Sequence, residues 1–417
     1  MRRLERLLPV VAALWLAAVR LNAAGPLPLE EAVKEALLRN PELRALHARA
    51  SAQSEVSARE RALPDPSLTY GAMSPSESVR VVDSDEMRVT LAQEIPGFGK
   101  RAIRGRLADT EAALLWVDLR ILENDIRFRV REAGYELAAV QESLALLRRE
   151  QALLAGIEEA ARARLSSGGT DSMDVLSAQS EVMSLRQRLI DLERREKGLQ
   201  ARLGQLLNRD SREPIEGIAA GEPEPVALDI PLLIRQALDT KPEIEAARRR
   251  VEQSEFSARL AGKRAWPDFM ISAERRFSSE EDDRIMFMFG LTLPIWRDAI
   301  RAGNREAAGN VEAGAASLEA VERDVRFEIE DAAYALENAR RSLALSREAL
   351  IPQAQQRFAA AEAAYRAGTL PFAALLESER FWLEARIMAA MTRAEEGRQA
   401  ARLERALGRP LKARAQP

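Results

Sequence analysis

The chain carries one long segment twice. The stretch from about Leu29 to Asn208 returns, diverged, from about Ile230 to Gly408. Asn40-Pro41-Glu42-Leu43 comes back as Lys241-Pro242-Glu243-Ile244, and Pro64-Asp65 as Pro267-Asp268. Asp125-Ile126-Arg127-Phe128 matches Asp324-Val325-Arg326-Phe327, and Gly169-Thr170 matches Gly368-Thr369. The offset stays at about 200 residues throughout. A tandem copy of this length, mixing very long helices with short alternating strands, permits few folds. It makes residues 25–417 one body of two equivalent halves: repeat one over 27–210, a linker over 211–228, and repeat two over 229–410.

Residues 1–24 stand apart. Arg2, Arg3 and Arg6 form a basic start, Leu7 to Val19 is apolar, and Ala23-Ala24-Gly25 supplies small residues. That pattern is a secretory signal peptide with cleavage expected near Ala24. Arg20 interrupts the apolar run, which argues against an uncleaved anchor helix. The mature chain is therefore expected to be exported, and to enter a membrane, if it does, as strands.

Arg284 to Ile295 alternates without a break. Ile285, Phe287, Phe289, Leu291, Leu293 and Ile295 are large and apolar, while the residues between them are small, polar or Met. A period of two puts the whole apolar set on one face of a strand. Apolar outside and polar inside over about ten residues is what a transmembrane barrel strand requires. Ile285, Phe287, Phe289, Leu291 and Leu293 are the residues expected to face lipid. Met87 to Ile95 repeats the pattern, with weaker versions over Ser67 to Met73 and Phe269 to Phe277. Four strands cannot close a barrel alone, and an open edge is forbidden in lipid. Other copies must complete them, or they are soluble hairpins capping a helical bundle.

The long helices follow from a second period. Leu115, Leu119, Leu122, Ile126, Val130, Ala133, Leu137, Val140, Leu144 and Leu147 are spaced three and four apart, close to a coiled-coil seam. The repeat copies that seam from Gly314 to Ser346. No helix stop lies between about Lys100 and Ser166, which predicts a helix of about 100 Å. Its partner runs from Ser172 to about Asn208, and Pro352 is expected to kink the matching helix of the second half. Short turns join the pairs at Ser166 to Asp171 and at Ala367 to Pro371.

Composition excludes much chemistry. There is no cysteine and a single histidine, His47, so disulfides, thiolate metal sites and histidine-based triads are out. Charge is nearly balanced at −3, against a nucleic-acid surface. Neither a nucleophile–base pair nor a cofactor loop of usable spacing is present, so no enzyme, cofactor or bound metal is expected. Gly97-Phe98-Gly99-Lys100 lacks the Ser/Thr of a phosphate loop and reads as a linker between strand and helix. Phe98, Trp266 and Trp296 flank the strands, as an aromatic girdle would.

In this order the elements resemble the TolC family of outer-membrane efflux channels. The marks are Leu29-Glu30-Glu31-Ala32 with Asn40-Pro41-Glu42-Leu43, Leu63-Pro64-Asp65-Pro66, and Gln93 to Arg101 leaving the second strand. Val175-Leu176 and Leu375-Leu376 after the Gly-Thr turns complete them. Pro96-Gly97-Phe98-Gly99-Lys100-Arg101 resembles the heavy-metal branch. The resemblance implies a mainly α protein with a small β part. It implies a homotrimer whose strands close a twelve-stranded barrel in outer-membrane lipid, above a periplasmic tunnel of helices. It implies a periplasmic adaptor and an inner-membrane transporter of the resistance-nodulation-division type as partners. Ser167, Gly168, Gly169, Thr170, Gly368 and Thr369 would be the adaptor-contacting tips. Asp174 and Glu377 would be the channel gate, although Ala374 replaces an acid common in the second half. Many relatives carry an acylated N-terminal cysteine; with no cysteine here, no N-terminal lipidation is expected. The substrate, whether metal cations, drugs or dyes, stays open. A soluble periplasmic coiled-coil adaptor is the alternative function.

Overall fold

Each half of the sequence folds through the same series of elements. The computed structural model describes residues 25–73, 86–166, 172–210, 215, 217–223, 228–278 and 283–411. The first half runs β1 (Leu27–Pro28), α1 (Leu29–Arg39), α2 (Pro41–Arg61), β2 (Ser67–Met73), β3 (Glu86–Ile95), α3 (Lys100–Ser166) and α4 (Ser172–Leu206). The second runs β4 (Ile218–Ala219), α5 (Ile230–Thr240), α6 (Pro242–Lys263), β5 (Phe269–Ser278), β6 (Arg284–Leu291) and α7 (Arg297–Leu345). A π-helical turn, Ser346–Leu350, then leads into α8 (Ile351–Arg366), and α9 (Phe372–Leu407) closes the series. The chain divides into two compact units. One takes the chain up to Leu43, Leu122–Lys241 and the chain from Val325; the other takes Arg44–Ile121 and Pro242–Asp324.

The helical unit is organised by the seam. α3 is 67 residues long, as the missing stop signals require. Ile126, Val130, Ala133, Leu137, Val140, Leu144 and Leu147 are all 2% exposed or less. In the second copy Val325, Ile329, Ala332, Leu336, Ala339 and Leu343 are likewise buried. Each large member contributes about 1.5–3 kcal/mol relative to staying in water. Leu115, Leu119 and Leu122, and their copies Gly314, Leu318 and Val321, are only half-buried. The stripe is continuous in sequence, but one chain covers only its later part. Ion pairs trim the surface of the core: Arg209 forks onto Glu35 at 2.9 and 2.6 Å, and buried Lys241 reaches Glu328 at 2.7 Å.

Three boundaries differ from the sequence reading. The stretch read as a linker, 211–228, contains β4, which pairs in parallel with β1 through Leu27–Ile218 and Pro28–Ala219. Two residues are too few to show any period. The strand read as far as Ile295 stops at Leu291. Thr292 still donates its N–H to Asp268 O at 2.9 Å, but Pro294 has no N–H to extend the ladder. Leu293, expected on the lipid-facing strand, therefore lies past its end. The kink expected at Pro352 takes the form of the π turn just before it. There the Ile351 N–H bonds the Ser346 carbonyl, one residue further back than in an α-helix. Proline cannot donate to the ladder, and the wider turn absorbs the mismatch.

Candidate functional site: the sheet wall and the helical tip

The sheet unit holds one antiparallel sheet in the order β2-β3-β5-β6. Directly opposed residues of an antiparallel ladder share a face. Leu68 opposes Leu91, and Tyr70 opposes Val89. Leu91 opposes Ala273, Gln93 opposes Ile271, and Ile95 opposes Phe269. Ala273 opposes Phe287, Ile271 opposes Phe289, and Phe269 opposes Leu291. One face is thus an apolar field crossed by a single Gln, with Arg275 at its margin. Arg275 is drawn to Asp283 at 2.9 Å, with its guanidinium over Phe277. The field is uncovered within the chain: Leu68 is 72% exposed, Phe287 80% and Phe289 65%. Ile285, Phe287, Phe289 and Leu291 all lie on it.

The opposite face has another chemistry. It carries Arg88, Thr90 and Glu94 from β3, Ser272, Glu274 and Arg276 from β5, and Arg284, Met286, Met288 and Gly290 from β6. The Thr90 hydroxyl donates to Glu274 Oε2 at 3.3 Å. Such a two-faced sheet separates an apolar medium from a polar one. Both outer strands, β2 and β6, pair on one side only. Among the described residues, no helix is long and apolar enough to cross a membrane.

A buried joint fixes where sheet becomes helix. Lys100, the first residue of α3, has a side chain only 9% exposed. Its Nζ donates to the Trp266 carbonyl at 2.9 Å and to Asp268 Oδ1 at 2.8 Å. The same oxygen accepts the Gly97 N–H at 2.5 Å. Burial opposes charge on Asp268, but these donors and the nearby Arg104 outweigh it and hold the carboxyl below its ordinary value. A Cβ on Gly97 would stand 2.5 Å from the Pro267 carbonyl oxygen, so the chain can pass here only as glycine. Gly97-Phe98-Gly99-Lys100 does turn strand into helix, and it does so by gripping the start of β5. Phe98, within this linker, is 78% exposed, and Trp296, just before α7, is 77% exposed.

At the tip, Ser167, Gly168, Gly169 and Thr170 lie outside the described residues. The second turn is described. Gly368 has φ +75°, the left-handed region open to glycine. Its N–H bonds Tyr365 O at 3.0 Å, and both the N–H and the hydroxyl of Thr369 bond Ala364 O at 3.0 Å. Asp174 sits half-buried in the first turn of α4. Glu377 is exposed and accepts from Arg357 at 2.9 Å.

The sequence reading passed over a buried acidic pair nearby. Glu150 of α3 and Glu379 of α9 are 3% and 1% exposed. Burial, then the hydrogen bond and charge of Glu150, push the Glu379 carboxyl up to about 9. Glu181 of α4 lies close enough to add to that rise. It is itself bonded by Arg380, which stands 199 positions on, the offset of the repeat. The signal was available: Glu150 lies between Leu147 and Leu154, and Glu379 between Leu376 and Leu383, each on the buried stripe of its helix.

Comparison with known proteins agrees with this architecture. The sequence pattern of the family described as Outer membrane efflux protein matches residues 32–209 and 233–409, one match per repeat. The chain is 23% identical over 393 residues to the cobalt-zinc-cadmium resistance protein CzcC of Cupriavidus metallidurans, covering 93% of this chain and 91% of that protein. Its fold resembles the outer membrane protein VceC of Vibrio cholerae with a TM-score of 0.76, at 16% identity, over 92% of this chain and 97% of the other. It also resembles CusC, described with transmembrane channel formation, with a TM-score of 0.77 at 14% identity over 91% and 92%. With its duplicated helices, its two-faced sheet and a family match across both repeats, the chain belongs to the outer membrane efflux protein family.

Proposed function

We propose that this chain is the exit duct of a three-part efflux pump that expels heavy-metal cations. Three copies close twelve strands into one barrel in the outer membrane, and their helices line a periplasmic passage. The observation that carries this reading is the sheet: one face apolar and bare, one face charged, both edges unpaired. In lipid an unpaired edge costs several kcal/mol per lost hydrogen bond, and ring closure by further copies removes it. A soluble adaptor has no use for such a field. CzcC, whose name gives cobalt, zinc and cadmium resistance, supports cations as the cargo.

The remaining roles are expectations of the same reading. A signal peptide over 1–24 directs export. The turns at Ser167 to Thr170 and at Gly368-Thr369 meet a periplasmic adaptor. That adaptor joins the duct to an inner-membrane transporter of the resistance-nodulation-division type. Asp174 and Glu377 gate the entrance, where three copies of each carboxylate would draw cations and exclude anions. Light scattering of the detergent-extracted protein should give three chains, and deletion of the gene should sensitise its host to cobalt, zinc or cadmium. A stable monomer that stays soluble without detergent overturns the channel. Unchanged metal tolerance with raised drug sensitivity overturns the cargo.

A further inference from the structure

The repeat makes the joint twice in sequence, but the chain completes it once. Lys100 opens α3 and Arg297 opens α7, so a cation begins the long helix of each half, four residues after Pro96 in the first and three after Pro294 in the second. Asp268 follows Pro267 just before β5, and Asp65 follows Pro64 just before β2. Lys100 meets Asp268 within the chain. Arg297 and Asp65 are both exposed and make no side-chain hydrogen bond or ion pair among the described residues. They sit beside the two open edges, Arg297 after β6 and Asp65 before β2.

We propose that Arg297 of one copy of this chain grips Asp65 of a neighbouring copy, repeating between chains the joint that Lys100 and Asp268 make within one. The proposal rests on the homotrimer reading and adds the residues that set its contact. Strand register supports it independently. Pro96 and Pro294 align the ends of β3 and β6, and Pro267 and Pro64 align the starts of β5 and β2. Carrying the Ile95–Phe269 pairing across on those prolines places Leu291 opposite Leu68, Phe289 opposite Tyr70 and Phe287 opposite Ala72. All six lie on the apolar face of their own strands. A shift of one residue would set Leu291 and Phe289 against Thr69 and Gly71, or Leu68 and Tyr70 against Gly290 and Met288, and so bring the apolar face of one strand onto the opposite face of the other. The transferred register continues the apolar field across the boundary with no break.

Only the charged part of the joint carries over. Ile295 stands where Gly97 stands, and its N–H is already taken by Leu293 O at 2.9 Å. Arginine compensates, because its planar fork can hold a carboxylate through two parallel bonds where lysine offers one point charge.

The absence of cysteine permits a direct test. Asp65→Cys and Arg297→Cys are combined in one full-length chain, which is treated in membranes with a short bifunctional maleimide. Bands of two and three chains are expected on a denaturing gel. Asp65→Cys with Glu312→Cys, set about 22 Å further along the helix, should give none. The mass of the same preparation is measured in detergent. A three-chain mass without cross-linking at 65 and 297, or with equal cross-linking at 312, overturns the joint and leaves the trimer standing. A one-chain mass overturns both. A charge exchange supplies the second readout. Asp65→Arg and Arg297→Asp should each lower the dissociation temperature of the trimer by several degrees, and the double exchange should recover most of the loss. A double variant as unstable as the sum of the singles overturns the pairing.

Discussion

In the helical unit Leu137, Leu144 and Leu336 are shut away by the same chain, while in the sheet unit Leu68, Phe287 and Phe289 stand bare. The side chains are equally apolar; the partners differ. Helices satisfy their own backbone bonds, so two hairpins of one chain can bury a shared stripe. A strand needs a neighbour on each side, and four strands always leave two edges. The comparison teaches where this protein is finished by folding and where it is left for assembly.

The largest expected effect breaks the sheet side of that comparison. Arg in place of Phe287 or Phe289 puts a charge on the apolar face, at about 2–4 kcal/mol per copy near the bilayer midplane. Heat-modifiable trimer in the membrane fraction should vanish. Met288→Arg, on the other face of the same strand, should leave it in place. The helical side is broken by Leu137→Ala, expected to cost about 2–5 kcal/mol through the cavity it leaves. Leu119→Ala, in the half-buried part of the seam, should cost visibly less in the same thermal melt followed by circular dichroism. If the two are equal, the seam is covered along its full length in the assembly.

Smaller effects sharpen the picture. Gly97→Ala should destabilise the sheet unit, because a backbone oxygen at 2.5 Å cannot step aside like the end of a side chain. Gly309→Ala, in open space on α7, should stabilise by about 1 kcal/mol. A further effect depends on pH. Burial and the neighbouring Glu150 push the folded Glu379 carboxyl up to about 9 from its ordinary 4.5, so between those values the folded chain holds the extra proton. Stability therefore falls as pH rises through that window. Glu379→Gln should equal the parent below about pH 4.5 and melt higher than it from there to about pH 9. A gain at pH 8 no larger than the gain at pH 4 would contradict the buried, protonated acid.

Much of this molecule is legible from its periods. The stripe from Leu115 to Leu147 gives α3 without a structure, and the alternation from Ile285 onward gives β6 and its bare face. What periods cannot give is long-range partnership. Lys100 reads as a linker lysine until Asp268 is seen beside it, and β4 is too short to announce itself. Leu293 continues the alternation perfectly, yet the ladder has ended because Pro294 has no hydrogen to give. Glu379 was readable as an acid on an apolar stripe. The family resemblance points instead to Glu377, two residues away. The tip itself, at Ser167 to Thr170, lies outside the described residues.

The order of the sheet also sets a timetable. β3 pairs on one side with β2, its near neighbour, but on the other with β5, a full repeat later, as in Ile95 with Phe269. Between them the chain must make both arms of the first helical hairpin and two further helices. Contacts so distant in sequence form late, and until they form a strand edge stays exposed. The first hairpin therefore emerges apolar on one face and unpaired on one edge, and must wait for the second half of the chain. Its helices can fold at once, because their bonds are local. A duplicated channel of this design leaves its stickiest segment unprotected during export, and shielding that segment in transit becomes a requirement placed on the cell.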